Sequence, residues 1–153
     1  MTRKNKGFTL VEILIVVIIL GILAAIVIPQ FTEASNDARQ SSLSSDLQTV
    51  RSQIELYKVQ HLDTVPDATV GEGTLFVQKM TSQTDYTGTV GAGTLGPYLQ
   101  KFPTNPFNSK NTVRIGGAAA GANTHGWYFE PTLGRFSPDD NLTTSDGTAH
   151  SSL

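Results

Sequence analysis

The feature that most constrains the fold of this chain is a long, almost wholly apolar segment near its N-terminus. Residues 8–28 are aliphatic or aromatic apart from Thr9, Glu12 and Gly21. As a helix, this segment would be about 30 Å long, which matches the hydrocarbon thickness of a bilayer. The sequence therefore predicts a helix that can cross a membrane.

Basic residues precede the apolar segment and predict its orientation. Of eleven Lys and Arg residues, Arg3, Lys4 and Lys6 lie before position 8. Positive charge is retained on the cytoplasmic side of a membrane, so we expect the N-terminus in the cytoplasm and the remainder outside it. Beyond residue 30, eight basic residues face twelve acidic ones, so nucleic acid is not an expected partner.

A cleaved secretory signal and a plain membrane anchor are two alternatives for this segment. It is longer than the ~7–15 apolar residues of a secretory signal, and residues 26–28 offer no small-residue cleavage site. A plain anchor does not account for Glu12, because a charge at mid-bilayer costs about 2.5–3.5 kcal/mol. No Lys, Arg or His lies between Gly7 and Arg39, so a cation must come from elsewhere. Alternatively, Glu12 lies at the headgroup level, where the helix N-terminal dipole favours it.

The run from Gly7 to Glu12, Gly-Phe-Thr-Leu-Val-Glu behind a short basic leader, resembles the processing motif of type IV pilins and type II secretion pseudopilins. This resemblance implies that a prepilin peptidase cuts between Gly7 and Phe8 and methylates the new N-terminus at Phe8. It also implies that Glu12 meets the amine of a neighbouring subunit during assembly. Such a pair fixes register more than it adds stability.

The charge pattern and this resemblance together predict three parts of the chain. Residues 1–7 form a cytoplasmic leader that is cleaved, residues 8–30 form the transmembrane and filament-core helix, and residues 31–153 form a head outside the cytoplasm. Gly21 and Pro29 are expected to kink or loosen the helix, since proline removes a backbone hydrogen bond and clashes with the preceding turn.

The head is expected to begin with a continuation of the same helix over residues 31–61. Beyond Pro29, apolar residues recur at alternating intervals of four and three, as one helical face requires. The opposite face is polar and is expected to meet water or other subunits. The predicted buried face consists of Leu43, Leu47, Val50, Ile54 and Tyr57.

Variable loops are expected over residues 62–111, interrupted by a second short helix at residues 74–81. Within this region, residues 96–107 resemble a loop of major type II pseudopilins, in which a Tyr-Leu pair precedes two spaced prolines and an aromatic residue. The prolines stiffen the connection, so its apolar side chains can cover the open side of the long helix. These side chains are Tyr98, Leu99, Phe102 and Phe107.

Strand patterns occupy residues 112–138. Residues 126–130 and 135–137 are separated by a turn-like sequence and predict a β-hairpin, with Trp127 and Phe129 in the core. The Gly/Ala-rich residues 116–123 predict a flexible loop, and residues 139–153 a flexible tail. The expected fold is therefore α+β and pilin-like, with a long N-terminal helix packed on a small antiparallel β-sheet.

The sequence contains no catalytic constellation that we recognise, and we expect the chain not to be an enzyme. Its histidines are scattered, and the absence of cysteine excludes a disulfide framework or a cysteine-based metal site. Calcium is the cofactor that the resemblance implies, because major pseudopilins are known for a calcium site in the part of the chain that follows the last strand. The candidate oxygen ligands are Asp139, Asp140, Asn141 and Asp146, with a solvated acidic tail as the alternative.

These features identify the chain as a member of the pilin-like family, most similar to the major pseudopilin of type II secretion. The resemblance implies a structural filament subunit for protein secretion, held in the inner membrane before assembly. The implied partners are other copies of the chain, minor pilin-like subunits, the prepilin peptidase and an inner-membrane assembly platform. A type IV pilin for adhesion, motility or DNA uptake is one alternative, and a membrane-anchored binding domain is another.

Overall fold

The computed structural model describes residues 7–153, so residues 1–6 of the predicted leader lie outside the described residues. The described residues divide into two compact units, one that ends at Ala38 and one that comprises Arg39–Leu153, and we describe each by itself. In chain order, its elements are helix α1 (Leu10–Gln60), strand β1 (Gly71–Glu72), helix α2 (Thr74–Thr81), strands β2 (Val113–Ile115), β3 (Trp127–Glu130) and β4 (Arg135–Pro138), and a 3-10 turn (His150–Ser152).

The first unit contains the N-terminal part of α1. Thr9 caps this helix, because its hydroxyl oxygen accepts a hydrogen bond from the backbone N–H of Glu12 at 3.2 Å. The helix is unbroken through Gly21 and Pro29. Thr32, in the turn after the proline, donates its hydroxyl to the carbonyl of Ile28. The kink predicted at Gly21 and Pro29 concerns the direction of the helix axis, and it stays a prediction.

In the head, α1 buries the apolar face that the sequence predicts. Its buried residues are Leu43, Leu47, Val50, Ile54 and Tyr57. The helix ends at Gln60, one residue before the predicted end at His61. Leu62 and Asp63 have positive φ values of 56° and 60°, a left-handed conformation that cannot continue a right-handed helix.

The head's core forms where this face of α1 meets three other parts: α2, residues 96–107 (the proline-containing segment) and the sheet. Helix α2 has the bounds predicted for it and buries Phe76 and Met80. The predicted covering role of residues 96–107 is confirmed, since three of its apolar side chains belong to the core and Phe107 packs partly against it. The other core residues of these elements are Tyr98, Leu99, Phe102, Val113, Ile115, Trp127, Phe129 and Phe136.

The sheet contains four strands in the order β1-β2-β3-β4. The predicted hairpin is confirmed, with β3 and β4 antiparallel and Phe129 opposite Phe136. The prediction of an antiparallel sheet is wrong for β2 and β3, which run parallel with Val113 opposite Trp127. The reason is that residues 116–126 carry the chain back to the starting end of β2 before β3 begins, as a parallel pair requires.

Residues 139–153, predicted to form a flexible tail, are held against the head at both ends. Asp139, Asp140 and His150 are buried, and the 3-10 turn at the end of this segment contacts β4. Leu153 packs partly against the core. These acidic residues are buried rather than solvated because they have internal partners at a distance along the chain, a property that local composition does not reveal.

Candidate functional site

The predicted processing residues lie at the start of the described chain, ahead of α1. Gly7, Phe8 and Thr9 precede the first helical residue, and the Phe8 side chain is 78% exposed. The peptide bond between Gly7 and Phe8 is therefore outside the regular helix. The predicted cut at this bond stays a prediction.

Glu12 lies in the first turn of α1, three residues after the capping Thr9. This is a position where a carboxylate is favoured by the helix dipole, so the fold accounts for an acid here in part. Residues 8–38 contain no Lys, Arg or His, so the described unit around Glu12 supplies no basic side chain. A positive partner for Glu12 would have to come from a chain terminus or from another molecule.

The apolar segment presents hydrophobic side chains around its whole circumference. The part of α1 that begins at Leu10 is long and apolar enough to cross a membrane. A helix that is apolar on all sides needs lipid or protein around it. The large side chains, 49–82% exposed, are Phe8, Leu10, Val11, Ile13, Leu14, Ile15, Val16, Val17, Ile18, Ile19, Leu20, Ile22, Leu23, Ile26, Val27 and Ile28.

The four residues predicted to bind calcium do not share a common site. Asp139 pairs with Arg114, and Asp140 contacts the ring nitrogen of His150. Asp146 accepts hydrogen bonds within its own turn, and Asn141 is exposed. Among the residues that the structure describes, no group of three His, Cys, Asp or Glu side chains is placed to hold a metal. The residues therefore do not fit the predicted ligand set.

Asp140 belongs to a buried network that the sequence patterns missed. Asn105 donates its side-chain amide to Asp140 at 2.7 Å and to the carbonyl of Gly126 at 2.9 Å. Its amide oxygen accepts the N–H of Phe107 at 2.8 Å. Nδ1 of His150 lies 2.6 Å from the Asp140 carboxylate. Asn105 thus ties the proline-containing segment to the start of β3 and to the C-terminal segment, and its place between two prolines is the signal for this turn role.

The other two histidines have partners of their own. His61 is buried, with its ring nitrogens 2.8 Å from the carbonyl of Tyr57 and 2.9 Å from the hydroxyl of Thr84. Its ring stacks on Tyr57, with 3.7 Å between centroids. His125 contacts the carboxylate of Glu72 at 2.9 Å. The contacts of His61 with Thr84 and of His125 with Glu72 each join two segments of the head.

Arg51, on the polar face of α1, is half-buried against other segments of the head. Its guanidinium donates to the carbonyl of Phe136 at 2.9 and 2.7 Å and to that of Leu153 at 2.5 Å. Burial and then the nearby charge of Arg135 lower the pKa of Arg51. Arg51 therefore joins α1 to β4 and to the C-terminal segment.

Comparison with known proteins finds a matching family model and several similar proteins. Residues 2–28 match the family model described as the prokaryotic N-terminal methylation motif. The chain is 31% identical to type II secretion system core protein G of Dickeya chrysanthemi, over 72% of this chain and 68% of that protein. It is 33% identical to the protein of the same name in Pseudomonas aeruginosa, over 70% of this chain and 71% of that protein.

A shorter match is with a pilus protein. The chain is 42% identical over 57 residues to the type IV narrow pilus major component PilA5 of Thermus thermophilus. This match covers 37% of this chain and 49% of that protein. No solved structure matches the chain.

Proposed function

We propose that this chain is a structural subunit of a secretion pseudopilus, since it belongs to the family of type II secretion system core protein G. It is made as a precursor, processed at its N-terminus and assembled through its apolar helix. The observation that carries this proposal is the motif from Gly7 to Glu12 at the N-terminal end of a helix whose apolar side chains are exposed on all sides.

In this proposal, processing replaces the basic leader by a single positive charge at the start of the apolar helix. A cut after Gly7 removes the basic residues Arg3, Lys4 and Lys6 and leaves an amine on Phe8. That amine is then the only positive group before Arg39, because no basic side chain occurs between them. Methylation of Phe8 keeps its positive charge. Each processed copy therefore carries one positive group at the start of its apolar helix, four residues before Glu12.

Assembly then pairs Glu12 with the Phe8 amine of a neighbouring copy. An unpaired carboxylate in an apolar environment is costly, and a pair relieves that cost for both charges. The apolar side chains of residues 8–28 exchange lipid contacts for contacts with other copies. Since an apolar surface offers little directional preference, the charge pair selects the register in which the helices stack.

The remaining assignments follow from the same family membership. Before assembly, the chain resides in the inner membrane with its N-terminus in the cytoplasm and its head outside. Its partners are further copies of itself in a helical filament, minor pilin-like subunits, the prepilin peptidase and an inner-membrane assembly platform. Its role is structural rather than catalytic.

The experiment that tests this proposal combines mass spectrometry with a matched pair of variants. We expect the chain extracted from membranes to begin at methylated Phe8. Glu12→Ala should be processed but should fail to enter sheared filaments, because the amine of the neighbouring copy loses its partner. Glu33→Ala removes an exposed acid of the same helix outside the motif, and it should assemble like the native chain.

Other outcomes would favour the alternatives. An intact Met1, or a start near Ser35, would contradict processing at Gly7. Normal assembly or activity of Glu12→Ala would favour a membrane-anchored binding domain. The match to the Thermus pilus component makes a type IV pilin the second candidate. Deleting the gene separates the two, because a pseudopilin mutant loses extracellular enzymes whereas a pilin mutant loses surface fibres and the adhesion, motility or DNA uptake that depends on them.

A further inference from the structure

Residues 116–125, in the loop between β2 and β3, are organised around a largely buried ion pair. Arg114, in β2, and Asp139, directly after β4, lie 2.6 Å apart, and their side chains are 13% and 0% exposed. The Gly/Ala composition of residues 116–123 predicts a flexible loop, yet both members of the pair are hydrogen-bonded to its backbone.

Arg114 engages the carbonyl groups of the first half of the loop. Its guanidinium donates to the carbonyl oxygens of Gly116 at 3.1 Å, Ala118 at 2.6 Å and Ala119 at 3.0 Å. It also lies 4.6 Å from the ring centroid of Tyr128, a distance at which a cation is attracted to an aromatic face. The positive group is therefore surrounded by three backbone oxygens, one carboxylate and one ring.

Asp139 engages the donors of the second half. Its carboxylate accepts the backbone N–H groups of Gly121, Ala122 and His125 at 3.1–3.2 Å, and the hydroxyl of Thr124 at 3.2 Å. Gly121 has a φ of +96°, a conformation that side chains rarely adopt. The loop thus follows a path in which carbonyls point to the cation and amides point to the anion.

We propose that the guanidinium of Arg114 is the cation that holds this loop, in place of the calcium ion that the sequence predicts at Asp139. Protein calcium sites combine backbone carbonyls with carboxylates from a flexible loop, and this set of oxygens converges here on a side chain instead. Arg suits the position because its planar fork carries five N–H donors that can be divided between a carboxylate and several carbonyls. A metal at Asp139 would have to displace this fork.

The proposal is independent of filament assembly, so it is tested on the stability of the loop in the full chain in detergent. Arg114→Gln should leave Asp139 buried without a charge partner and free the carbonyls of the loop. We expect amide hydrogen exchange of residues 116–125 to become at least about tenfold faster, while residues 43–57 of α1 keep their protection. Lys101→Gln, which removes an exposed charge, is the matched control and should change neither region.

A second measurement on the native chain keeps the proposal testable if Arg114→Gln does not fold. Calcium chloride at about 5 mM exceeds the ~0.1–1 mM dissociation constants of extracellular calcium modules. We expect the Tm of the native chain to be the same in calcium as in a chelator. A ligand that binds only the folded state must raise the Tm, so an unchanged Tm means that no calcium is bound. A calcium-dependent rise that Asp139→Asn abolishes would overturn the proposal, as would native exchange rates for residues 116–125 in a folded Arg114→Gln.

Discussion

Asp139 stays ionised inside the head because hydrogen-bond donors surround it. Burial by itself raises the pKa of this carboxyl group, since it penalises the charged form. The hydrogen bond from Arg114, the N–H of His125, the charge of Arg114 and the N–H of Ala122 outweigh burial and hold the pKa below its ordinary value of 3.8. The folded chain therefore binds a proton at Asp139 less readily than the unfolded chain does.

This difference predicts a loss of stability in acid. A depressed pKa contributes stability that is present above the ordinary value of 3.8 and is lost as the pH falls through the lower folded-state pKa. Urea unfolding followed by circular dichroism, compared at about pH 7 and about pH 3, should show a larger loss for the native chain than for Asp139→Asn. At neutral pH, Asp139→Asn should be less stable than the native chain by about 1–3 kcal/mol, because Arg114 loses its charge partner while it keeps its carbonyl partners.

Asp63→Asn is the control for this prediction. Asp63 is exposed and its positive φ is tolerated by Asn as well as by Asp. This variant should retain the pH dependence of the native chain. Identical pH dependence of Asp139→Asn and the native chain would contradict the assignment of this acid sensitivity to Asp139.

Single residues differed in how far the sequence could place them. Trp127 and Phe129 were predicted as core residues, and both are fully buried. Asp139 and Asp140 were predicted to lie together in a polar cluster, but each is buried against a partner distant along the chain. The partner of Asp139 is Arg114, which lies in β2, and no periodic pattern in the sequence connects two such distant positions. Polar residues near the end of a chain resemble a solvated segment until the fold supplies their partners.

At the scale of elements, the buried face of α1 makes a measurable contribution to the head. Ile54 belongs to this face and is 1% exposed. Ile54→Ala should lower the free energy of unfolding by about 2–5 kcal/mol, because it removes buried methyl groups and leaves a cavity. Val59→Ala, at a site 81% exposed in the same helix, should change it by no more than about 0.5 kcal/mol. Urea unfolding measures both, and equal effects would contradict this packing.

Elements with local signals were predictable, and elements that depend on distant pairing were not. The bounds of α2 and the β3–β4 hairpin were predicted because helical periodicity and a turn sequence are written in neighbouring residues. Strand β1 has only two residues and exists through its pairing with β2, where Gly71 lies opposite Ile115. The parallel register of β2 and β3 likewise depends on the path of the intervening loop, which the Gly/Ala composition does not specify.

At the scale of the whole molecule, the head is a compact unit by itself. The boundary between the two units falls between Ala38 and Arg39, within α1. A chain consisting of residues 39–153 should therefore be soluble and fold without the apolar segment, because the core residues all lie within it. Circular dichroism should show a single cooperative thermal transition. Aggregation, or a gradual transition with no defined midpoint, would show that the head needs the preceding residues.

The position of Trp127 determines which part of the intact chain its fluorescence reports on. It is the only tryptophan, it is fully buried, and its indole N–H donates to the carbonyl of Pro103 at 2.9 Å. All four tyrosines also lie beyond residue 38. Ultraviolet-excited emission at tryptophan wavelengths therefore originates in the head alone, whatever surrounds the apolar segment. A red shift of that emission reports exposure of the head's core to water, without any added label, in detergent or in a bilayer.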